Sequence, residues 1–274
     1  MEFGIHLPQY GRAASADGIA RAARQAEDLG FADVWVSDHL AVPTGAPYVA
    51  PFLFEPLVTL TWAASATSTI RLATGVLILP YRHPLHLANE LAALDIFSGH
   101  RVLLGVGAGW LEEEFDALGV PFADRGARTD DALAALRACW ELRPVEHAGT
   151  HYTLHDLQVL PQPERIPVWS GGTSRRALRR AVTACDGWQG TRLTPSEIEP
   201  FVATLRASRP EADFTISLRL DWDGVSGDLA AYRADLEAYA AAGVQHLYAC
   251  PQQRTIDDWL RSVERLHEVF EPHA

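Results

Sequence analysis

Lysine is absent: every one of the 23 basic side chains in the 274-residue chain is arginine. Without it there is no lysine Schiff base and no phosphate-loop lysine. Cysteine is scarce. Cys139, Cys185 and Cys250 are odd in number, widely spaced and without a C-x-x-C pair, which argues against a disulfide framework or a zinc ribbon and for buried structural thiols. Long apolar runs are missing as well, none approaching the roughly 20 residues of a membrane helix. The opening MEFGIHL reads as a strand and not as a signal peptide, so the cytoplasm is the expected compartment. Positive charge is in deficit, with 35 acidic residues setting the net charge at −12. That argues against general binding to nucleic acid or to an anionic membrane, while leaving room for a local arginine patch that meets a small anion.

What the chain has in quantity is apolar periodicity. Hydrophobic residues make up 48% of it, and its length suits an α/β barrel, commonly about 250 residues. From Ile70 to Trp110 it reads strand, helix, strand. IRLATGVLILP is a β-branched run suited to burial on both faces, and a helix begins at Pro84 with Leu87, Leu91 and Leu94 at the 3.6-residue period. Ser98-Gly99 ends it, and Val102 to Val106 is apolar again. Gly105, Gly107 and Gly109 are expected to open the end of that strand so that a backbone can approach a ligand.

Further strands are predicted over Phe3–Gln9, Asp33–His39, Pro167–Gly172, Gly187–Arg192, Phe214–Trp222 and His246–Cys250. Helices are predicted over Ser15–Leu29 and Glu55–Thr67, and from Ser174, Pro195, Asp228 and Thr255. A loop with Pro43, Gly45, Pro47 and Pro51 precedes the second helix. After Gly109 the word LEEEF starts an acidic helix. A loop then runs to Arg128, and the next helix has Asp130 and Asp131 at the positive end of its dipole. Residues 144–162, with Gly149 at a turn, read as a β-hairpin inserted before the fifth strand. Eight strand-then-helix units make a (β/α)8 TIM barrel the leading architecture, one domain over 1–274. A doubly wound open sheet is second, because the G-x-G-x-G at Gly105 lacks the Rossmann spacing.

The words TGVLILPYRHP, ELAALDIFSGHRVLLGVGAGW and LEEEFDALGVPFADRGARTDDALAALR closely resemble the luciferase-like flavin and deazaflavin oxidoreductases, especially the branch using coenzyme F-420. The resemblance runs from FGIHLPQYG through GFADVWVSDHL to PVWSGGTSRRALRRA and CDGWQG. It implies a deazaflavin at the carboxyl ends of the strands, hydride transfer to or from a small organic substrate, and a homodimer.

Placed on this sequence, the resemblance implies that Asp38 and His39, ending the second strand, face the coenzyme. His39 is then the catalytic candidate, since an imidazole handles protons near neutrality. Thr74, Gly75 and Val76 match a bulge behind the ring, with a cis peptide implied at Gly75–Val76. Gly107, Ala108 and Gly109 would line the ring's polar side, and Glu113 is carried with them. Sugar-phosphate dehydrogenases of this family have glutamate where Trp110 stands and asparagine where Glu113 stands. Trp110 therefore points to a flatter, more apolar substrate. Gly171, Gly172, Thr173 and Ser174 precede a helix whose first residues include Arg175 and Arg176. Free N–H groups and a positive dipole end suit phosphate there, and an exposed basic helix face is the plain alternative. Four arginines on that helix suit the longer anionic tail of F-420 better than the single phosphate of FMN. Trp188 walls the pocket or belongs to the core. Gln9, Trp110 and Trp222 are candidates for substrate contact.

His83 with His86, and His147, His151 and His155, lack a matching carboxylate and a shared helix face, so no metal site is expected. Two rivals stay open: an FMN-dependent monooxygenase on the same barrel, and a coenzyme-binding protein without catalysis.

Overall fold

Eight short strands carry the architecture of the computed structural model, which describes residues 1–44, 53–211 and 213–270. Gly45, Pro47 and Pro51 of the expected loop lie outside the described residues. The strands are β1 (Glu2–His6), β2 (Asp33–Val36), β3 (Arg71–Thr74), β4 (Val102–Gly107), β5 (Val168–Gly171), β6 (Gly187–Thr191), β7 (Thr215–Leu220) and β8 (His246–Ala249). Each pairs in parallel with the next. β1 meets β8, and β3 meets β4 at Leu72↔Val102, which closes the ring into a (β/α)8 barrel. A two-residue strand, Leu77–Ile78, extends β4 at Val106 and Gly107.

Local chemistry sets the helix boundaries. Helix α1 (Ala16–Asp28) is capped by the Ser15 side chain on the Gly18 N–H. Helix α2 (Pro56–Ala66) and helix α3 (Pro84–Ser98) each start on proline, and α3 ends on Gly99 at φ 71°, the left-handed conformation glycine adopts freely. Helix α4 (Glu112–Leu118) and helix α5 (Arg125–Glu141) follow β4, and α6 (Arg175–Ala184) follows β5. Helices α7 (Pro195–Ser208), α8 (Leu229–Ala241) and α9 (Ile256–Phe270) complete the outer layer, with Trp259, Val263, Leu266 and Phe270 of α9 buried as its apolar stripe requires.

Alternation along the strands divides the interior in two. Val34, Leu72, Leu104, Val168, Trp188, Ile216, Leu218 and Leu247 belong to the main core, between strands and helices. Trp35, Ala73, Leu103, Trp169 and Tyr248 form a second cluster inside the barrel, where Trp35 stacks on Tyr248 at 4.2 Å between ring centroids. These large rings plug the lower barrel, so any ligand site must lie above them, at the carboxyl ends of the strands.

The hairpin forms where expected, Val145–Ala148 antiparallel to Thr153–Leu157. One local expectation is corrected. Helix α5 begins at Arg125, three residues before the expected loop ends, so Asp130 and Asp131 are not at its N-terminus. Asp131 instead receives His147 Nε2 at 2.7 Å and the Tyr152 N–H at 3.2 Å, anchoring the hairpin, while Asp130 holds arginines of α6. No helix among the described residues is long and apolar enough to cross a membrane.

Candidate functional site at the carboxyl end of the barrel

β1 and β2 stop at His6 and Val36, earlier than predicted, so Gln9 and the Ser37-Asp38-His39 segment sit in loops above the barrel. The peptide Gly75–Val76 is cis. A Cβ on Gly107 would collide with the Val76 side chain, and one on Gly105 with the Thr74 carbonyl. Those glycines are thus required by the Thr74–Val76 bulge packing against β4. Beside the bulge, Asp38 is buried and accepts the Ile78 N–H at 2.8 Å. Burial pushes its carboxyl up. A guanidinium that keeps its proton, Arg82, answers with Nη1 at 2.6 Å and Nη2 at 3.1 Å, which makes a charged pair tolerable there.

His39 Nδ1 lies 2.7 Å from Oε2 of the buried Glu114. Burial works to raise the Glu114 pKa, but hydrogen bonds from His39, the Ala41 N–H, Tyr81 and the Leu40 N–H bring it down overall. The ionised carboxylate only accepts, so Nδ1 of His39 carries a hydrogen and Nε2 is the ring atom left to take or give a proton. Trp110, 56% exposed at the rim, meets the imidazole edge to face at 5.4 Å.

His39 and Trp110 line a cleft of about 1340 Å³ together with Asp38, Gly75, Val76, Gly107, Ala108 and Gly109, and with Gly171, Gly172, Thr173, Ser174 and Arg176. On a chain with net charge −12 this cleft is lined by Arg12, Arg125, Arg176, Arg180, Arg192, Arg219 and Arg254, against Asp38 and Asp124. Both acids are already engaged, Asp38 by Arg82 and Asp124 by Arg128 at 3.2 Å. Arg176 and Arg180 share Asp130, each with Nε at 2.6 Å, and Arg192 pairs with Asp221. Among the described residues, Arg12, Arg125, Arg219 and Arg254 have no carboxylate partner. Arg125 is held instead by the carbonyls of Gly109 at 3.2 Å and Phe122 at 2.9 Å.

The turn after β5 is shaped for an anion. Gly172 takes φ 106°, Ser174 caps Ala177 at 3.2 Å, and the N–H groups of the first turn of α6 have no partner within the helix. Trp188 donates Nε1–H to the Gly172 carbonyl at 2.8 Å and is fully buried against Phe201. It therefore braces the turn from the core side and does not wall the cleft.

The remaining candidates lie elsewhere. Gln9 is buried and ties Ser37 to Phe54, while Thr74 Oγ1 donates to the Gly105 carbonyl at 2.8 Å. Trp222 stacks on Tyr232 at 4.5 Å in the outer core, following the outward parity of Leu218 and Leu220. Arg175 and Glu113 are exposed and outside the cleft lining. Helical phase explains the shift from Glu113 to Glu114: Leu111, Glu114 and Phe115 fall on one face at i, i+3 and i+4, and all three are buried. Arg82 and Arg219 went unnoticed in the sequence. For Arg219 the signal was alternation, since in TISLRL the polar Ser217 and Arg219 take the inward positions.

Comparison with known proteins adds the following. The family model described as luciferase-like monooxygenase matches residues 1–267. The chain is 31% identical over 220 residues to an F-420-dependent glucose-6-phosphate dehydrogenase of Kineococcus radiotolerans, covering 75% of this chain and 64% of that protein. Among solved structures it is similar in fold to a monooxygenase from Streptomyces bottropensis, with TM-score 0.85, 20% identity and coverage of 100% and 99% of the two chains. It is also similar to the coenzyme F-420-dependent tetrahydromethanopterin reductase of Methanopyrus kandleri, with TM-score 0.81, 19% identity and 99% coverage of each.

Proposed function

The chain belongs to the luciferase-like monooxygenase family, and on that premise we propose that it is a coenzyme F-420-dependent oxidoreductase moving a hydride between the deazaflavin and a small organic substrate. The observation that carries this reading is the arginine-lined cleft in an acidic protein, running from the turn after β5 to His39. The Gly171–Ser174 turn would take the phosphate and Arg125 and Arg176 the rest of the anionic tail. Val76 and the Gly107–Gly109 segment would support the ring. When bound, the coenzyme supplies the hydride donor or acceptor. The protein would position the partners and manage the proton: Glu114 fixes the tautomer of His39, whose Nε2 would then be available as acid or base.

Arg12, Arg125 and Arg254, cleft arginines without a carboxylate partner, favour the polyanionic tail over the single phosphate of FMN. Similarity to a monooxygenase of known structure supports the second reading, an FMN-dependent monooxygenase. Titrating the purified protein with F-420 and with FMN at one ionic strength separates the two. The expected result is a preference for F-420 of at least about tenfold, and tighter binding of FMN overturns the proposal. The homodimer belongs to the same proposal. Val58 and Phe97 line a shallow cavity between α2 and α3, exposed to 69% and 76%, an apolar face suited to a second copy. Sedimentation equilibrium tests it.

A further inference from the structure

Arg219 stands apart from the phosphate turn. It points inward from β7 and reaches over the mouth to β2 and β8. Nη1 donates to Ser37 Oγ and Nη2 to Cys250 Sγ, each at a long 3.3 Å, and its Nε is buried without an acceptor. Two other arginines near the cleft, Arg82 and Arg180, are neutralised by Asp38 and Asp130. Arg219 has no such partner among the described residues, yet it lines the cleft. Neither Ser37 nor His6 balances it. His6 Nδ1 gives its hydrogen to the Leu7 carbonyl at 2.7 Å, so Nε2 accepts from Ser37 Oγ at 2.8 Å, and Ser37 in turn accepts from Arg219. Burial, followed by the positive charge of Arg219, lowers His6 to about 3, so it is neutral at physiological pH. Cys250 is fully buried, and its Sγ lies 3.0 Å from Tyr10 Oη in a contact that lets the thiol keep its proton as donor. A guanidinium left uncompensated in a water-poor site is costly unless an anion completes it.

We propose that Arg219 is the seat of a carboxylate carried by the substrate, gripped by the planar guanidinium fork, whose contact Ser37 lies two residues before His39. Leu7, Leu53 and Pro251 line the same cleft, so the rest of the substrate is apolar. Assigning this anion to the substrate rests on the coenzyme reading above.

The test is calorimetric titration of the full-length protein with benzoate and with its neutral isostere benzamide. Wild type is expected to bind benzoate about tenfold tighter or more. Arg219→Gln should erase that difference, and Arg219→Lys, which keeps the charge but not the fork, should retain part of it. Arg219→Gln should hold F-420 affinity within about threefold of wild type. Equal binding of the two probes by wild type overturns the proposal, as it would if a Cys250 thiolate already cancelled the charge. Benzoate preference that survives Arg219→Gln, or that disappears in Arg176→Gln instead, overturns it too. A parallel loss of F-420 affinity in Arg219→Gln moves the arginine to the coenzyme and overturns the assignment to substrate. Should Arg219→Gln fail to fold, wild type against Arg219→Lys still decides. If wild type discriminates benzoate but ignores F-420, the anion seat stands and the coenzyme reading falls.

Discussion

At the amino end of the barrel Asp33, His246, Arg71 and Ser217 form a closed set, while at the carboxyl end the same kinds of side chain are left open. Asp33 accepts from His246 Nε2 at 3.0 Å, from Arg71 Nη2 at 2.7 Å and from Trp35 Nε1, and His246 Nδ1 meets Ser217 Oγ at 2.8 Å. The charges there balance one another, and the Trp35 and Tyr248 rings seal them from above. At the other end, among the described residues, Arg125 and Arg219 have no acid, and the Nε2 of His39 makes no hydrogen bond. Residue type therefore says little about role in this fold. Position along the strand, and whether the local charge balances without a ligand, say much more.

The sharpest way to break this comparison is acid. His6, at the open end, is held near 3, first by burial and then by Arg219, whereas an unfolded histidine titrates at 6.5. Between those values the unfolded chain binds the extra proton, so stability falls as pH drops from 6.5 toward 3. The slope is about 1.4 kcal/mol per pH unit, and the total on the order of 4 kcal/mol. At the closed end, burial raises Asp33, but His246 and then Arg71 outweigh it and bring the carboxyl to about 2, against 3.8 unfolded. Its contribution is complete above about pH 4 and is lost only as pH falls toward 2. Urea midpoints recorded across pH should therefore show a decline beginning near 6.5 that flattens in His6→Asn. An unchanged slope in that variant would contradict the assignment.

Removing a member of the closed set is the next largest effect. Asp33→Ala leaves the buried His246 without its carboxylate and Arg71 with Glu2 alone, and a loss of about 3–5 kcal/mol in unfolding free energy is expected. Coenzyme affinity of the folded fraction should change less than twofold, because the Trp35–Tyr248 layer lies between. Denaturation and binding measured on one preparation check both halves. A large drop in coenzyme affinity without a loss of stability would dissolve the distinction between the two ends.

Smaller in free energy, but centred on function, is Glu114→Gln. The amide no longer enforces the Nδ1–H tautomer of His39, so turnover should fall about 10²-fold with little change in coenzyme affinity. Single-turnover mixing over a range of pH would show it. An unchanged rate would mean that His39 carries no proton in the reaction.

Much of the fold was legible because its signals are local. Ser15, Pro84 and Gly99 mark helix ends by chemistry that needs no tertiary context, and the apolar runs placed all eight strands within a few residues. The Gly171–Ser174 turn and His39 stood out through the resemblance to luciferase-like proteins. What stayed hidden depends on facts that exist only after closure. Trp188 and Trp222 face the helices because of strand parity, which acquires a direction once the inside of the barrel is known. Glu114 and not Glu113 reaches His39 because of the phase of one short helix, and two turns of chain separate neither candidate in the sequence. Arg82 meets Asp38 across 44 residues. The glycines of β4 were read as openings to a ligand, and the Val76 bulge that also requires Gly105 and Gly107, coming from the segment after β3, stayed hidden.

The measurement that reaches the central claim most directly is a crystal structure of the protein with coenzyme F-420 bound. The phosphate is expected against the N–H groups of Thr173 and Ser174, the tail along Arg125 and Arg176, and the ring between Val76 and His39 with Arg219 still unoccupied. Density for the tail on the acidic outer surface, or a ring placed away from the Gly75–Val76 bulge, would contradict it.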